Sequence, residues 1–427
     1  MNNSEYEEFK SQITSEKLKE NMELYYARLS EVYNDNKIIE GLGMASRIRE
    51  IIQRVLFDDG CKYIWLVPIE TSIDEYSTNN FIAYNPYSKK SYSLVQSPQI
   101  QKEAAAIVLG SNFRLVDCYR GEKTDTTHAN IFQQIDVEFA NKDENEIRNV
   151  GKKIIEECFK QILNLDINIV DTYSYSELVE LYGTDSPNLG AGFKICKMEK
   201  QYCLFIPNEY LLDVCKIVDN FECCCLDGNK LIFKEDVDIK DIRMIRNYFI
   251  SRFKNSNVNN NTLYGYWVVD MPYVECKNGI LRPTHHVMSM PSVAYNNHNF
   301  SFDNLSDSDL CSLNCNSFDL IICNNSSAVE VLGGDERIND FSLQYSAIKR
   351  LGYSVEQYAY LLESLRFNDE HDRKRLGGFA IGTERLVQFL IGCYDMKYVQ
   401  LFPTNLPDGI LTHATSIEDM KTRRKKL

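Results

Sequence analysis

The stretch CYRGEKTDTTHANIFQQIDVEFAN, residues 118–141, puts Arg120, Glu122, His128 and Phe132 on one hairpin. An arginine at the edge of a pocket can grip a phosphate through two parallel hydrogen bonds. Glu122 follows two residues along the same strand face, His128 can reach a terminal phosphate from the loop, and Phe132 can stack on a purine. The second arm alternates Ile135, Val137 and Phe139 with Gln134, Asp136 and Glu138, the period of a strand. Its polar row suits a strand lining a polar pocket better than one facing a core. Taken alone, the hairpin reads equally well as a surface hairpin carrying an ion pair.

GGFAIGTERL, residues 377–386, tilts that balance. Gly377, Gly378 and Gly382 let a strand run close to a ligand, and Glu384 and Arg385 sit where a helix begins. An arginine there adds its charge to the partial positive charge of a helix N-terminus, and so pairs with Arg120 as a second phosphate ligand. Neither GxGxxG nor GxxxxGK[ST] occurs, so a nucleotide would be held in some other way.

Those residues need elements to position them. Residues 5–33 read as one or two charged helices. Met44, Ile48, Ile51, Ile52 and Val55 recur at helical spacing, so residues 39–57 form a helix with one face on a core. YIWLVPIE reads as a strand ending near Pro68. SYSLV reads as another, and Pro98 then opens a helix. A helix is expected from about residue 149. Residues 196–262 mix short strands and helices and end in the Asn-rich NSNVNNNT, as an inserted subdomain with a flexible exit would. YGYWVVDMPYV, SFDLIICN and EVLGGDERIND read as further strands. The hairpins argue for a mixed α/β (α+β) domain on a mainly antiparallel sheet flanked by helices, not for a doubly wound sheet.

Composition narrows the class. The 427 residues are 44% hydrophobic and 25% charged, as in a soluble globular protein. No apolar run spans a membrane and the start lacks a signal peptide's character, which predicts a cytoplasmic protein. A net charge of −14 argues against a broad nucleic-acid-binding face. The basic KTRRKKL at the C-terminus reads as a frayed, solvated end before it reads as an RNA-binding arm. The 14 cysteines show no paired CxxC knuckles or usual zinc spacing, so they read as reduced thiols.

With these residues in place, the sequence resembles a known family. Arg120-Gly-Glu122 followed by His128 and Phe132 resembles motif 2 of the class II aminoacyl-tRNA synthetases. Gly378-Phe-Ala-Ile-Gly382-Thr-Glu-Arg385 resembles motif 3, and the helix and strand ending at Pro68 resemble motif 1. QSPQIQKE, FQQIDVEF, YSELVELYGTDSPNLG, YWVVDMPYVE, THHVMSMP and EVLGGDERIND resemble, in order, blocks of bacterial-type aspartyl-tRNA synthetase. The likeness runs from about residue 39 to 416.

The resemblance implies ATP and Mg²⁺ as cofactors and L-aspartate as substrate. It implies Arg120 at the ATP α-phosphate and Glu122 at the adenine side or the metal. His128 would lie near the γ-phosphate, Phe132 on adenine, and Arg385 at the γ-phosphate from the opposite face. Glu330 matches the acidic metal position. Lys102 and Arg337 match the cations that grip the aspartate side chain. Glu75, Gln99, Gln134 and Asp136 match acceptors around the α-amino and α-carboxyl groups, and His285 and His286 match a pair beside the amino acid. The reaction implied is attack of the aspartate carboxylate on the α-phosphate, in a homodimer built through motif 1.

The departures are as specific. Only residues 1–38 precede the motif 1 helix, so the anticodon-reading OB-fold is expected to be missing and the insertion of 196–262 to be a shortened one. The motif 2 loop TDTTHAN lacks basic residues, NDEHDRKRLGG leads into motif 3, and LFPT lacks the usual following cation. The expected domains are thus a helical extension over 1–38, a catalytic domain over 39–195 and 263–427, and the insertion. Three functions stay open: an aspartate–tRNA ligase working through acceptor-stem contacts; a paralog passing the aspartyl group to ammonia, a small amine, a peptide or a modified nucleotide; and a silent aspartate- and ATP-binding regulatory module. Retention of both arginines, Glu330 and the aspartate pocket speaks against the third.

Overall fold

IFQQIDVEFA becomes strand Ile131–Ala140, near the middle of an eight-stranded sheet in the computed structural model. The structure describes residues 3–70, 80–121, 123–124, 129–253, 263–277, 279–294, 297 and 300–403. The sheet comprises β1 (Lys62–Tyr63), β2 (Asn112–Tyr119), β3 (Ile131–Ala140), β4 (Asn168–Ser174), β5 (Tyr264–Val269), β6 (Ser317–Cys323), β7 (Ala328–Glu336) and β8 (Leu376–Gly382). Their order across the sheet is β1-β2-β3-β8-β7-β6-β5-β4. Only the edge pairs β1–β2 and β5–β4 are parallel; every inner pair is antiparallel, as the hairpin patterns predict.

The two faces of the sheet do different work. Ile135, Val137 and Phe139 of β3 join Leu320, Ile322, Leu332, Phe379 and Ile381 in one core. Helices Asn36–Asp58, Glu144–Leu163 and Thr383–Ile391 cover that face with Ile48, Ile52, Ile154, Phe159, Leu386 and Val387. The opposite face is covered only in part, by helices Gln99–Leu109, Phe341–Arg350 and Ala359–Glu370 and a second core around Tyr266, Met288, Ile321 and Leu361. The uncovered middle of that face is where the polar row of β3 points.

Several expected elements shift. YIWLVPIE contributes only Tyr63 to the two-residue β1, with Ile69–Glu70 pairing separately to Lys90–Leu94. Its Trp65 is 75% exposed, so the segment has no core of its own to flatten it against. β2 ends at Tyr119, which leaves Arg120 in the turn rather than on the strand, tied by its N–H to the Asn130 carbonyl at 2.9 Å. The helix expected from residue 149 begins at Glu144, because Asp143 and Glu146 form a capping box. The N-terminal segment is indeed two helices, Asn3–Ser11 and Glu16–Asn34.

Residues between Leu181 and Phe253 carry their own core, built on a four-stranded antiparallel sheet and helix Ile239–Phe253. The Asn-rich NSNVNNNT and the basic C-terminal tail lie outside the described residues. One cysteine expectation is corrected here. Cross-strand register places Cys196 opposite Cys203 with Cα atoms 5.2 Å apart, within bridging range, and the two form a disulfide. The 12 other cysteines are free thiols.

Candidate active site

Register builds the floor of the open face. In the deepest row Glu138 of β3, Gly378 of β8 and Asp335 of β7 lie side by side. The next row runs Arg114, Asp136, Ala380, Gly333 and Asp319 across β2, β3, β8, β7 and β6. A third pairs Gln134 with Gly382. β8 thus contributes only small residues, and its neighbours' charged side chains converge over it. Gly378 is required for this: a Cβ there would lie 2.0 Å from the Val137 carbonyl oxygen and 2.7 Å from Glu138 Oε2. The glycine makes room for the protein's own groups rather than for a ligand directly.

Helix Gln99–Leu109 supplies the next layer. Gln99, Lys102 and Glu103 recur at i, i+3 and i+4, so all three point to the floor. Lys102 Nζ lies 3.0 Å from Asp136 Oδ1 and 3.5 Å from Glu138 Oε2. Arg337 forms a fork on Glu138, with Nε and Nη2 each donating to a carboxylate oxygen at 3.2 Å. Its Nη1 pairs with Asp335 Oδ1, and Glu103 Oε1 stands 3.8 Å from Nε. All these side chains are buried. Burial, with Glu138 beside it, pushes the Glu103 carboxyl up to about 8 against the pull of Arg337 and Lys102.

The walls of the cleft carry the other predicted groups. On one side the Arg120 guanidinium sits 5.1 Å above the Phe132 ring. On the other, Arg385 Nη1 reaches Glu330 Oε1 at 3.6 Å, with nearly half of each side chain open to the cleft. Glu330 and Asp319 face each other over Gly333, whose hypothetical Cβ would meet both carboxylates. Protein packed around Glu330, and then the Asp319 charge, raise its carboxyl to about 7. Burial alone would lower His285, but Asp319 Oδ1 at 3.5 Å outweighs it and holds the imidazole above its ordinary value.

A single cleft of about 600 Å³ gathers Gln99, Lys102, Arg120, Phe132, Gln134, Asp136, His285, His286, Glu330, Arg337 and Arg385. Glu75, Glu122 and His128 lie outside the described residues. The same cleft contains residues to which no role was attached: Ser97, Tyr175, Asp185, Thr284, Asp319 and Glu384. Asp319 had a signal, a lone acid in the apolar SFDLIICN. Glu384 braces the motif rather than opening to it: it accepts from Gln133 N and Thr383 Oγ1, both at 3.0 Å.

Among the described residues no group of three or more His, Cys, Asp or Glu side chains could cage a metal. Two carboxylates beside room for phosphate oxygens form the ordinary Mg²⁺ donor set, since that ion keeps waters and takes substrate oxygens. Glu330 and its facing Asp319 would fit it; the sequence names only Glu330 for that position. No helix among the described residues is long and apolar enough to cross a membrane.

Comparison with known proteins agrees with this geometry. The tRNA synthetases class II (D, K and N) match the chain over residues 20–406. The chain is 22% identical over 424 residues to the aspartate–tRNA(Asp/Asn) ligase of Caldanaerobacter subterraneus subsp. tengcongensis, covering 84% of this chain and 69% of that one. It is 22% identical over 422 residues to the aspartate–tRNA ligase of Clostridium kluyveri, covering 83% and 69%. Among solved structures, asparaginyl-tRNA synthetase of Pyrococcus horikoshii with asparaginyl-adenylate superposes with a TM-score of 0.53 at 16% identity, over 89% of this chain and 71% of that one. That likeness speaks to the fold. With its antiparallel sheet, its two arginine-bearing motifs and a family match over most of its length, the chain belongs to the class II tRNA synthetases of the D, K and N group.

Proposed function

We propose that this protein activates L-aspartate with ATP, forming aspartyl-adenylate and pyrophosphate, and passes the aspartyl group to an acceptor. The observation that carries this is the arrangement of one cleft: Lys102 and Arg337 at its floor, Arg120 and Arg385 on its opposite walls. A small amino acid with an acidic side chain would lie on the floor, its α-carboxylate turned outward. Phe132 would stack on adenine, and Gln99, Gln134 and Asp136 would hold the α-amino group. His285 and His286 border the same space.

In the reaction an oxygen of the α-carboxylate attacks the α-phosphorus while the bond to the pyrophosphate oxygen breaks. Arg120 neutralises the charge that gathers at the α-phosphate, and Arg385 holds the γ-phosphate so that attack and departure stay in line. A Mg²⁺ held by Asp319 and Glu330 would offset the negative charge of the polyphosphate. No side chain acts as a covalent nucleophile. The same reading carries a homodimer: Phe57, Tyr63, Trp65 and Val67, on the segment resembling motif 1, are all exposed in the single chain.

The test is to incubate the protein with aspartate, Mg²⁺ and α-labelled ATP and resolve the products. Labelled aspartyl-adenylate is expected, and adding total tRNA or ammonium then shows which acceptor discharges it. Absence of adenylate with or without tRNA sinks the reading.

A further inference from the structure

Glu103 is a carboxyl at 0% exposure, in a position that an apolar side chain would fill at less cost. Arg337 does not bind it: its Nε stands 3.8 Å from Oε1, beyond hydrogen-bond reach. Burial and the neighbouring Glu138 keep the carboxyl protonated at neutral pH. One of its oxygens, Oε2, is buried with no hydrogen-bond partner in the protein. The other, Oε1, accepts from Gln99 Nε2 at 2.5 Å, one turn earlier on the same helix face. The proton therefore belongs on Oε2. Among the described residues this is the one side-chain hydrogen bond that Glu103 makes, and its donor is a residue of the cleft.

A primary amide is planar and two-sided, with donors on its nitrogen and an acceptor on its oxygen. The torsion that turns it is soft, so an unrestrained Gln can present either side. With the Gln99 nitrogen committed to Glu103, the oxygen is the side left for the cleft, and among the described residues no group donates to it. An oxygen there can accept from a substrate ammonium. A nitrogen there would turn its N–H dipoles against the same charge. Asp136 lines the same cleft, and its buried Oδ2 has no partner in the protein, so a second acceptor stands ready for that group.

We propose that Glu103 is a positioning residue for the amino-acid substrate: by accepting from Gln99 Nε2 it turns the Gln99 amide oxygen to the cleft and so favours ligands that carry an α-ammonium group. This inference rests on the amino-acid activation proposed above. It gives the buried acid a task that an apolar side chain of the same length cannot perform. It also separates recognition of the α-amino group from recognition of the two carboxylates.

The experiment compares the wild type with Glu103→Met, which keeps the length and removes the acceptor, and with Glu103→Gln, whose carbonyl can still accept from Gln99. The KM for aspartate is read from ATP–pyrophosphate exchange. The inhibition constant of succinate, which has both carboxylates and no amino group, is read from competition with aspartate. In Glu103→Met the KM for aspartate is expected to rise about tenfold while the succinate constant moves by less than about twofold. Glu103→Gln is expected to stay within about twofold of the wild type on both. An unchanged succinate-to-aspartate ratio in Glu103→Met overturns the proposal, whether both constants stay put or both weaken as a general loss of packing would make them. Loss of the preference in Glu103→Gln to the same extent overturns it as well. The wild type needs no variant: succinate is expected to bind about tenfold or more weaker than aspartate, and equal binding overturns the proposal. Lack of exchange with aspartate in the wild type would instead count against the activation reading itself.

Discussion

Glu103 keeps a proton because it is buried beside Glu138, and this sets a pH dependence. The folded protein holds that proton where the unfolded chain has lost it. Between the ordinary carboxyl value of 4.5 and about 8, stability therefore falls as pH rises, by at most about 1.4 kcal/mol per pH unit. Glu103→Gln is expected to flatten the slope of melting temperature against pH over that window. At the walls, Phe132→Ala removes a stacking face worth about 1 kcal/mol and should raise the KM for ATP by up to about tenfold. Arg385→Ala removes charge that acts on the departing pyrophosphate and should cost about 10²–10³ in the exchange rate. Phe132 and Arg385 could be singled out because motif spacing marks them; Glu103 could not, since its role depends on burial beside Glu138. Asp335 and Glu138 were not given roles, since which carboxylate meets Arg337 depends on lateral register between β3, β8 and β7. Asp319 escaped for the same reason: its partner Glu330 lies on the neighbouring strand.

Among the elements, β8 shows how far periodicity reads and where it stops. LGGFAIG announces a strand rich in small residues, and the alternation of β3 separates Ile135, Val137 and Phe139, which enter a core, from Gln134 and Asp136, which line the cleft, and Glu138, which lies buried against Lys102 and Arg337. What periodicity cannot show is why Gly378 is glycine. It sits between two charged neighbours, with the Glu138 side chain where its own would be. Gly378→Ala is expected to destabilise by about 1–3 kcal/mol or more, because backbone on the adjacent strand has to move. Gly43→Ala, in helix Asn36–Asp58 with nothing within 4 Å of the new methyl, should instead stabilise by about 0.5–1 kcal/mol. Urea melts of the two variants check both signs. The truncated β1 is the counterexample: YIWLVPIE has strand composition, yet of its residues only Tyr63, next to Lys62, finds a parallel partner in β2.

Across the whole molecule, the second N-terminal helix, Glu16–Asn34, is pinned to the far end of the described chain. Arg28, 2% exposed, donates to the carbonyls of Lys397, Gln400 and Leu401, and Tyr25 stacks on Phe402. Gln400 continues the path by donating to the Ile131 carbonyl and to Glu384, the residue beside Arg385. Helical character over residues 5–33 could be read from sequence; this docking could not, because it depends on a buried arginine meeting backbone carbonyls nearly four hundred positions away. The account's central claim is amino-acid activation in the cleft between Arg120 and Arg385. Its most direct test is ATP–pyrophosphate exchange with aspartate, asparagine, glutamate and lysine, each alone, with and without total tRNA. The account predicts exchange with aspartate, and none with glutamate or lysine. No exchange with any of the four, under either condition, would contradict it.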